Sequence, residues 1–208
     1  MNTIKECFEI ILRGNEDKSR QATRRVRKLL YSSGTSGKYE DIQNFIKDAP
    51  AAYHKISQDW RRENFVVAIS VIYFLHDREA EPDFLFPWLS WLLLHSSGVI
   101  RYAAVRMFSH ELGPLTVYIR IPDFKPDGLT NLKLKQADVI LFSLFTDLNK
   151  LLENEWQPKY KKYKYVSSLP AGPYKSIQMV MARMEELCGA KYMDELAKQY
   201  RQELSRNV

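Results

Sequence analysis

Apolar residues recur at three- and four-residue intervals along almost the whole chain, and few windows alternate as a half-buried strand does, so the pattern predicts an all-α protein. The predicted helices run over about 2–13, 16–32, 39–57, 59–76, 83–95, 98–112, 134–155, 174–187 and 190–204. Between them lie SSGTSGK (32–38), HDREAEPD (76–83), an irregular piece from Gly113 to Asn131, and the segment from Trp156 to Pro173. In that last segment PKYKKYKY (158–165) interleaves four lysines with three tyrosines. Pro158 and the following LPAGP are turn and linker chemistry, so the stretch reads as a basic connection. Its rings would lie on neighbouring helices while its lysines reach water.

The helical pattern repeats. Arg24 opens RRVRKLLY, Arg62 opens RENFVVAISVI and Arg101 opens RYAAVRMF, at intervals of 38 and 39 residues, which suits two-helix units of about 40 residues. The third copy, LFPWLSWLLLHSSGVIRYAAVRMF (85–108), resembles the HEAT repeat: Pro87, Leu89, Leu92, Leu93, Ile100, Arg101 and Ala104 fall where that pattern places them. It departs at His95, where the family's turn aspartate stands. The preceding unit, 39–76, follows with Pro50 slightly out of register, and the first follows through its arginine. Proline near a helix start is tolerated because its missing N–H has no intrahelical partner there, and small Ala103 and Ala104 let two helices approach closely.

The resemblance implies an α-α superhelix of HEAT-like helical hairpins over about 1–112, within one all-α domain spanning 1–208. A long helix at about 134–155, a basic linker at 156–173 and a C-terminal hairpin at 174–204 complete it, the hairpin capping the stack.

Composition adds constraints on function. Hydrophobic residues make up 45% of the 208, enough for a packed core, and the formal net charge of +6 favours anionic partners. Cys7 and Cys188 are too few for a disulfide framework, the N-terminus lacks the order of a signal peptide, and apolar runs fall short of the ~20 residues of a membrane span. A cytoplasmic protein with no membrane span is expected.

Candidate chemistry is sparse. His54, His76, His95 and His110 sit on different helices and turns without metal-ligand spacing, and His76 begins an acidic stretch that reads as a solvated, helix-capping turn. There is no glycine-rich phosphate loop ending in Gly-Lys-Ser/Thr and no Gly-x-Ser-x-Gly, so neither catalytic residues, a cofactor nor a metal is expected.

The basic residues carry the functional reading. KSRQATRRVRK (18–28) holds Lys18, Arg20, Arg24, Arg25, Arg27 and Lys28 with no acid among them, on the half of a helix opposite Ala22, Val26, Leu29 and Leu30. In the HEAT resemblance the second helices line a concave surface, which would gather Lys18, Arg20, Arg24, Arg27 and Lys28 with Trp60, Arg61 and Arg106. Lys161 and Lys162 would form a far rim. Arg62 and Arg101 read as structural. The expected function is a non-catalytic binding or scaffold protein that holds a macromolecule, most simply another protein, on this positive face. The alternative is nucleic-acid binding: DWRRENFVVAI distantly resembles the Trp-x-Arg-Arg helix of HEAT-like alkylpurine DNA glycosylases, without that family's tryptophan-and-aspartate motif. Asp59 and Asp138 are the acids a glycosylase reading would have to use.

Overall fold

The computed structural model describes residues 3–31, 40–76, 85–116 and 134–206, and all their regular structure is helical. The chain runs α1 (Ile4–Arg13), α2 (Glu16–Leu30), α3 (Glu40–Lys47), α4 (Ala49–His54), α5 (Asp59–Ile72), α6 (Phe86–Leu93), α7 (Gly98–Leu115), α8 (Leu134–Glu155), α9 (Pro173–Cys188) and α10 (Ala190–Arg206). Short 3₁₀ turns follow α5 (Tyr73–Leu75) and fill the connection before α9 (Pro158–Lys162 and Val166–Ser168). The expected loop at 32–38, residues 117–131 of the expected irregular piece, and the acidic residues 77–83 lie outside the described residues.

Local chemistry sets the helix starts. Thr3, Asn15 and Ser97 each accept a hydrogen bond from the backbone N–H three residues on, satisfying a donor that has no partner within the helix. Pro50 and Pro87 occupy the second positions of α4 and α6, and Pro173 opens α9. Pro50 also explains one departure from expectation. A single helix over 39–57 would need a backbone donor that proline lacks, so the chain breaks at Asp48 into α3 and α4. At the other end of the molecule α7 runs on to Leu115, past the expected stop at 112, and finishes one residue after Pro114.

Helices pair in chain order. α1 packs on α2, α3 and α4 on α5, α6 on α7, and α8 on α9, while α2 lies against α5, α5 against α7 and α7 against α9. The C-terminal α10 covers α8 and α9. Phe8 anchors the first junction, stacked 4.6 Å from Phe45 and meeting Phe65 edge-on at 6.0 Å. The middle helix α7 is buried on several sides, and Ala103 and Ala104 are among the residues that let its neighbours close in.

The repeated arginine has a defined job at two of its three positions. Arg62 and Arg101 each stand four residues after their N-cap, Gln58 and Ser97, and each reaches back six residues to a carbonyl: Arg62 Nε to Ile56 O at 2.8 Å, Arg101 Nη1 to His95 O at 2.6 Å. Arg101 Nη1 also donates to Ser96 O at 2.7 Å. The long side chain thus ties the loop before a helix onto the helix itself. Arg24 does not belong to this set. The N-cap of α2 is Asn15, so the matching position is Ser19, whose hydroxyl donates to Ile11 O at 3.3 Å; the 38-residue interval from Arg24 to Arg62 is not a structural register. Lys175, which the sequence pattern did not flag, does the same work on α9, donating from Nζ to Leu169 O at 2.9 Å and Ser167 O at 2.8 Å.

His76 corrects the solvated-turn expectation. It closes the 3₁₀ turn after α5, is buried, and its Nδ1 lies 2.9 Å from Glu111 Oε1 of α7. The charged residues beside it are its neighbours in sequence, whereas its partner comes from 35 residues away.

Candidate functional site: a basic groove on α2

The turn between α1 and α2 is fixed before any ligand is considered. Gly14 N–H donates to Ile10 O, a Cβ on Gly14 would meet that same oxygen at 2.7 Å, and Arg61 Nη2 donates to Gly14 O at 2.8 Å. Asn64 of α5 donates to Ser19 Oγ at 3.1 Å, and Thr23 Oγ1 donates to Asn64 O at 3.1 Å and lies 3.0 Å from Ser19 O. Ser19, Ala22, Thr23 and Val26 are buried along this seam. With one side of α2 committed to α1 and α5, the helical period turns its cations outward.

Along the edge where α2 meets α1 an open groove of about 360 Å³ is lined by Lys18, Arg24, Arg25 and Lys28, with Gln21, Ala22 and Ile10 of α1. All four cations are exposed, and among the described residues no acid or carbonyl holds their head groups. Like charges on adjacent helical turns repel by a few tenths of a kcal/mol per pair, a cost an anionic partner would relieve. Among the described residues none that lines the groove is aromatic. The groove's chemistry is therefore that of cations around a small apolar patch, suited to carboxylates or phosphates that carry an aliphatic neighbour.

The residues proposed from sequence separate into distinct places. Lys18, Arg24 and Lys28 converge on the groove, joined by Arg25, which belongs to the stripe but is absent from the candidate set. Arg20 and Arg27 are not among the groove's lining residues, and Arg20 is not a free cation, because Glu16, just outside the acid-free stretch, pairs with it at 2.7 Å. Arg61 is committed to Gly14 O and to the Trp60 ring, with its guanidinium carbon 4.7 Å from the ring centroid. Trp60 is accordingly part of that packed contact. Arg106 is half-buried on α7, with α5 packed between α7 and α2, and Lys161 and Lys162 lie in the 3₁₀ turn beyond α8. The two acids of the glycosylase reading lie apart from this groove. Asp59 has a side chain 87% exposed, 3.4 Å from Arg62, and Asp138 accepts from Tyr192 Oη at 2.7 Å.

The histidines are less scattered than their positions in the chain suggest. His54 and His95 flank Trp91, with ring centroids 5.7 and 6.0 Å from it, and Tyr53 meets Trp91 at 5.3 Å. His95 Nδ1 accepts a hydrogen bond from Ser97 N–H at 2.9 Å, so that nitrogen carries no proton. Burial pushes the His95 pKa below its usual value, helped by Arg62 and Arg101 and opposed by Asp59 and Glu63. The unfolded chain therefore binds this proton more readily than the folded one. The contribution to stability is present above the unfolded value of about 6.5 and is lost as pH falls through and below it. Urea midpoints measured between neutral and mildly acidic pH should fall with acidity, and the His95→Asn variant, whose amide oxygen can take the same hydrogen bond without titrating, should show a shallower fall. An unchanged slope in that variant would remove His95 from the account.

The two cysteines differ. Cys7 is fully buried, and burial pushes its thiol up despite nearby Arg25, while Cys188 is partly exposed at the end of α9. Among the described residues no three of His, Cys, Asp and Glu gather as a metal site would require, and no helix is long and apolar enough to cross a membrane. Compared with known proteins, the chain matches no family model, no curated protein and no solved structure.

Proposed function

We propose that this chain is a non-catalytic, HEAT-like α-solenoid that holds an acidic segment of another protein in the groove on α2. The solenoid reading is supported by the succession of second helices, each packed on the next, and by the carbonyl clasps of Arg62, Arg101 and Lys175 at the start of three of them. The observation that carries the binding reading is the convergence of Lys18, Arg24, Arg25 and Lys28 around a groove that Ile10 and Ala22 also line. An acidic peptide with aliphatic residues between its carboxylates satisfies both parts of that surface, while the lack of a ring leaves nothing on which a base would stack.

The test is fluorescence anisotropy with a labelled Glu- and Leu-containing peptide and, in parallel, a short DNA duplex. Charge reversal at Arg24, Arg25 and Lys28 together is expected to weaken peptide binding by at least about tenfold, with wild-type affinity falling as salt rises. Duplex binding stronger than peptide binding, with a salt slope near −0.9 for each phosphate contacted, would instead favour nucleic acid. Peptide affinity equal in wild type and variant would defeat the groove as the site.

A further inference from the structure

We propose that the turn from Trp156 to Tyr165 is a separate platform for single-stranded nucleic acid. From Trp156 to Met184 the chain carries no acidic residue, and Lys159, Lys161, Lys162 and Lys164 are all exposed. Each of the four ammonium groups lies over a ring: Lys159 over Tyr160 at 5.4 Å, Lys161 over Trp156 at 5.7 Å, Lys162 over Tyr163 at 5.1 Å and Lys164 over Tyr165 at 5.4 Å. Trp156 and Tyr165 are 43% and 62% exposed, so large ring surfaces face water beside the charges.

The turn is held in place from behind. Tyr160 stacks on Tyr174 of α9 with centroids 4.5 Å apart and planes 12° from parallel, Leu169 is buried, and Lys175 fastens the carbonyls of Ser167 and Leu169. A platform anchored this way keeps its rings displayed at little further ordering cost on binding. This is the difference from a wet basic loop, whose lysines would have no fixed aromatic neighbours.

Three kinds of anionic partner would answer to the lysines, and the rings separate them. A base stacked on an aromatic face is a stronger contact than an exposed lysine lying over it, so each lysine can leave its ring for a phosphate while a base takes its place. Bases are free to do this only in a single strand. An acidic peptide has no use for the rings. A lipid surface would need a continuous apolar face to enter it, and beyond the rings of Trp156 and Tyr165 the turn offers little: Val166 is half-buried and Leu169 buried, so the vesicle arm of the test separates this partner. No groove on α2 is involved, so the two surfaces can be inactivated one at a time.

The test uses the whole chain with a labelled oligo-dT of about 12 nucleotides, within the range of single-strand site sizes, alongside a duplex of equal length and vesicles containing phosphatidylserine. Wild type should bind the single strand more tightly than the duplex. The Trp156→Ala/Tyr165→Ala variant should lose about tenfold or more in affinity with its salt slope unchanged, as expected for lost stacking. Tyr165→Ala alone should give a smaller loss in the same direction, which guards against a fold defect from removing the larger tryptophan ring. Lys161→Ala/Lys162→Ala should flatten the slope by about 1.4, two single-strand phosphate contacts, and Arg24→Glu/Lys28→Glu should leave oligo-dT binding as it is. The proposal is overturned by no single-strand binding at low salt, by equal or tighter duplex binding, by ring variants that bind like wild type, by a loss that follows the α2 variant, or by vesicle binding without oligo-dT binding.

Discussion

Replacing Glu111 with alanine is expected to destabilise the fold by about 3–5 kcal/mol, as breaking a buried polar pair on one side does. Glu111 Oε1 and His76 Nδ1 are 2.9 Å apart, with side chains 0% and 1% exposed, and the pair joins the turn after α5 to α7. The buried Tyr73 ring packs 5.4 Å from the imidazole, closing off that side. Alanine would strip the imidazole of this carboxylate in a place water does not reach, and would leave a void that the packed neighbours only partly fill. Glu111→Gln keeps an oxygen to accept from Nδ1–H and should cost only about 1–2 kcal/mol. The double replacement His76→Leu/Glu111→Leu removes both polar groups and should recover much of the single-variant loss. Urea midpoints at constant m-value are the measurement. A Glu111→Ala midpoint within about 1 kcal/mol of wild type would show that the pair contributes little.

The same pair marks where sequence reasoning stops. Helical periodicity and the placement of Pro87 and Pro173 reveal an all-α chain and most helix starts, because these are local signals: a cap, a missing N–H, an apolar stripe. Pro50 is equally visible, but the apolar stripe runs on across it; the cost of a proline inside a helix exceeds the gain from a continuous apolar stripe, so α3 and α4 separate. The burial of His76 is not legible, because the residues that follow it in the sequence are charged while its partner is 35 residues away.

The candidate site was legible in part for the same reason. One-sided charge on α2 is a periodic property, so Lys18, Arg24 and Lys28 could be put on one face from the sequence alone. What periodicity does not supply is the identity of long-range hydrogen-bond partners. Arg61 looks as available as Arg24 in the text of the sequence, yet it closes the α1–α2 turn through Gly14 O. Trp60 looks like a stacking residue beside two arginines, and is one, but for Arg61. Conversely the rings of 156–165, which read as packing for neighbouring helices, remain substantially exposed at Trp156 and Tyr165 while Tyr160 alone is stacked on α9.

Replacing Arg101 with methionine is expected to cost about 2–3 kcal/mol, the range for buried hydrogen bonds to a charged group. The residue is 8% exposed, and burial depresses its pKa, so the guanidinium stays in the interior only because carbonyl oxygens meet it. Nη1 donates to His95 O at 2.6 Å and Ser96 O at 2.7 Å, the last carbonyls before the N-cap Ser97. Methionine preserves the apolar stem and deletes these donors, leaving two loop carbonyls unmet beside α7. Arg101→Lys retains a point charge able to reach one of them and should fall between wild type and methionine. Arg62→Met removes one main-chain contact from a side chain 30% exposed, where water can substitute, and should cost about 1 kcal/mol or less. That ordering, Arg101→Met above Arg101→Lys and Arg62→Met, is the test of the clasp. Equal effects at 62 and 101 would mean that burial of the guanidinium does not govern the cost. Charge reversal at Arg24, which has no carbonyl partner among the described residues, should leave stability within about 0.5 kcal/mol of wild type, and if the proposed groove binds an acidic peptide the same variant should weaken it, separating the arginines that hold the fold from the one proposed to bind.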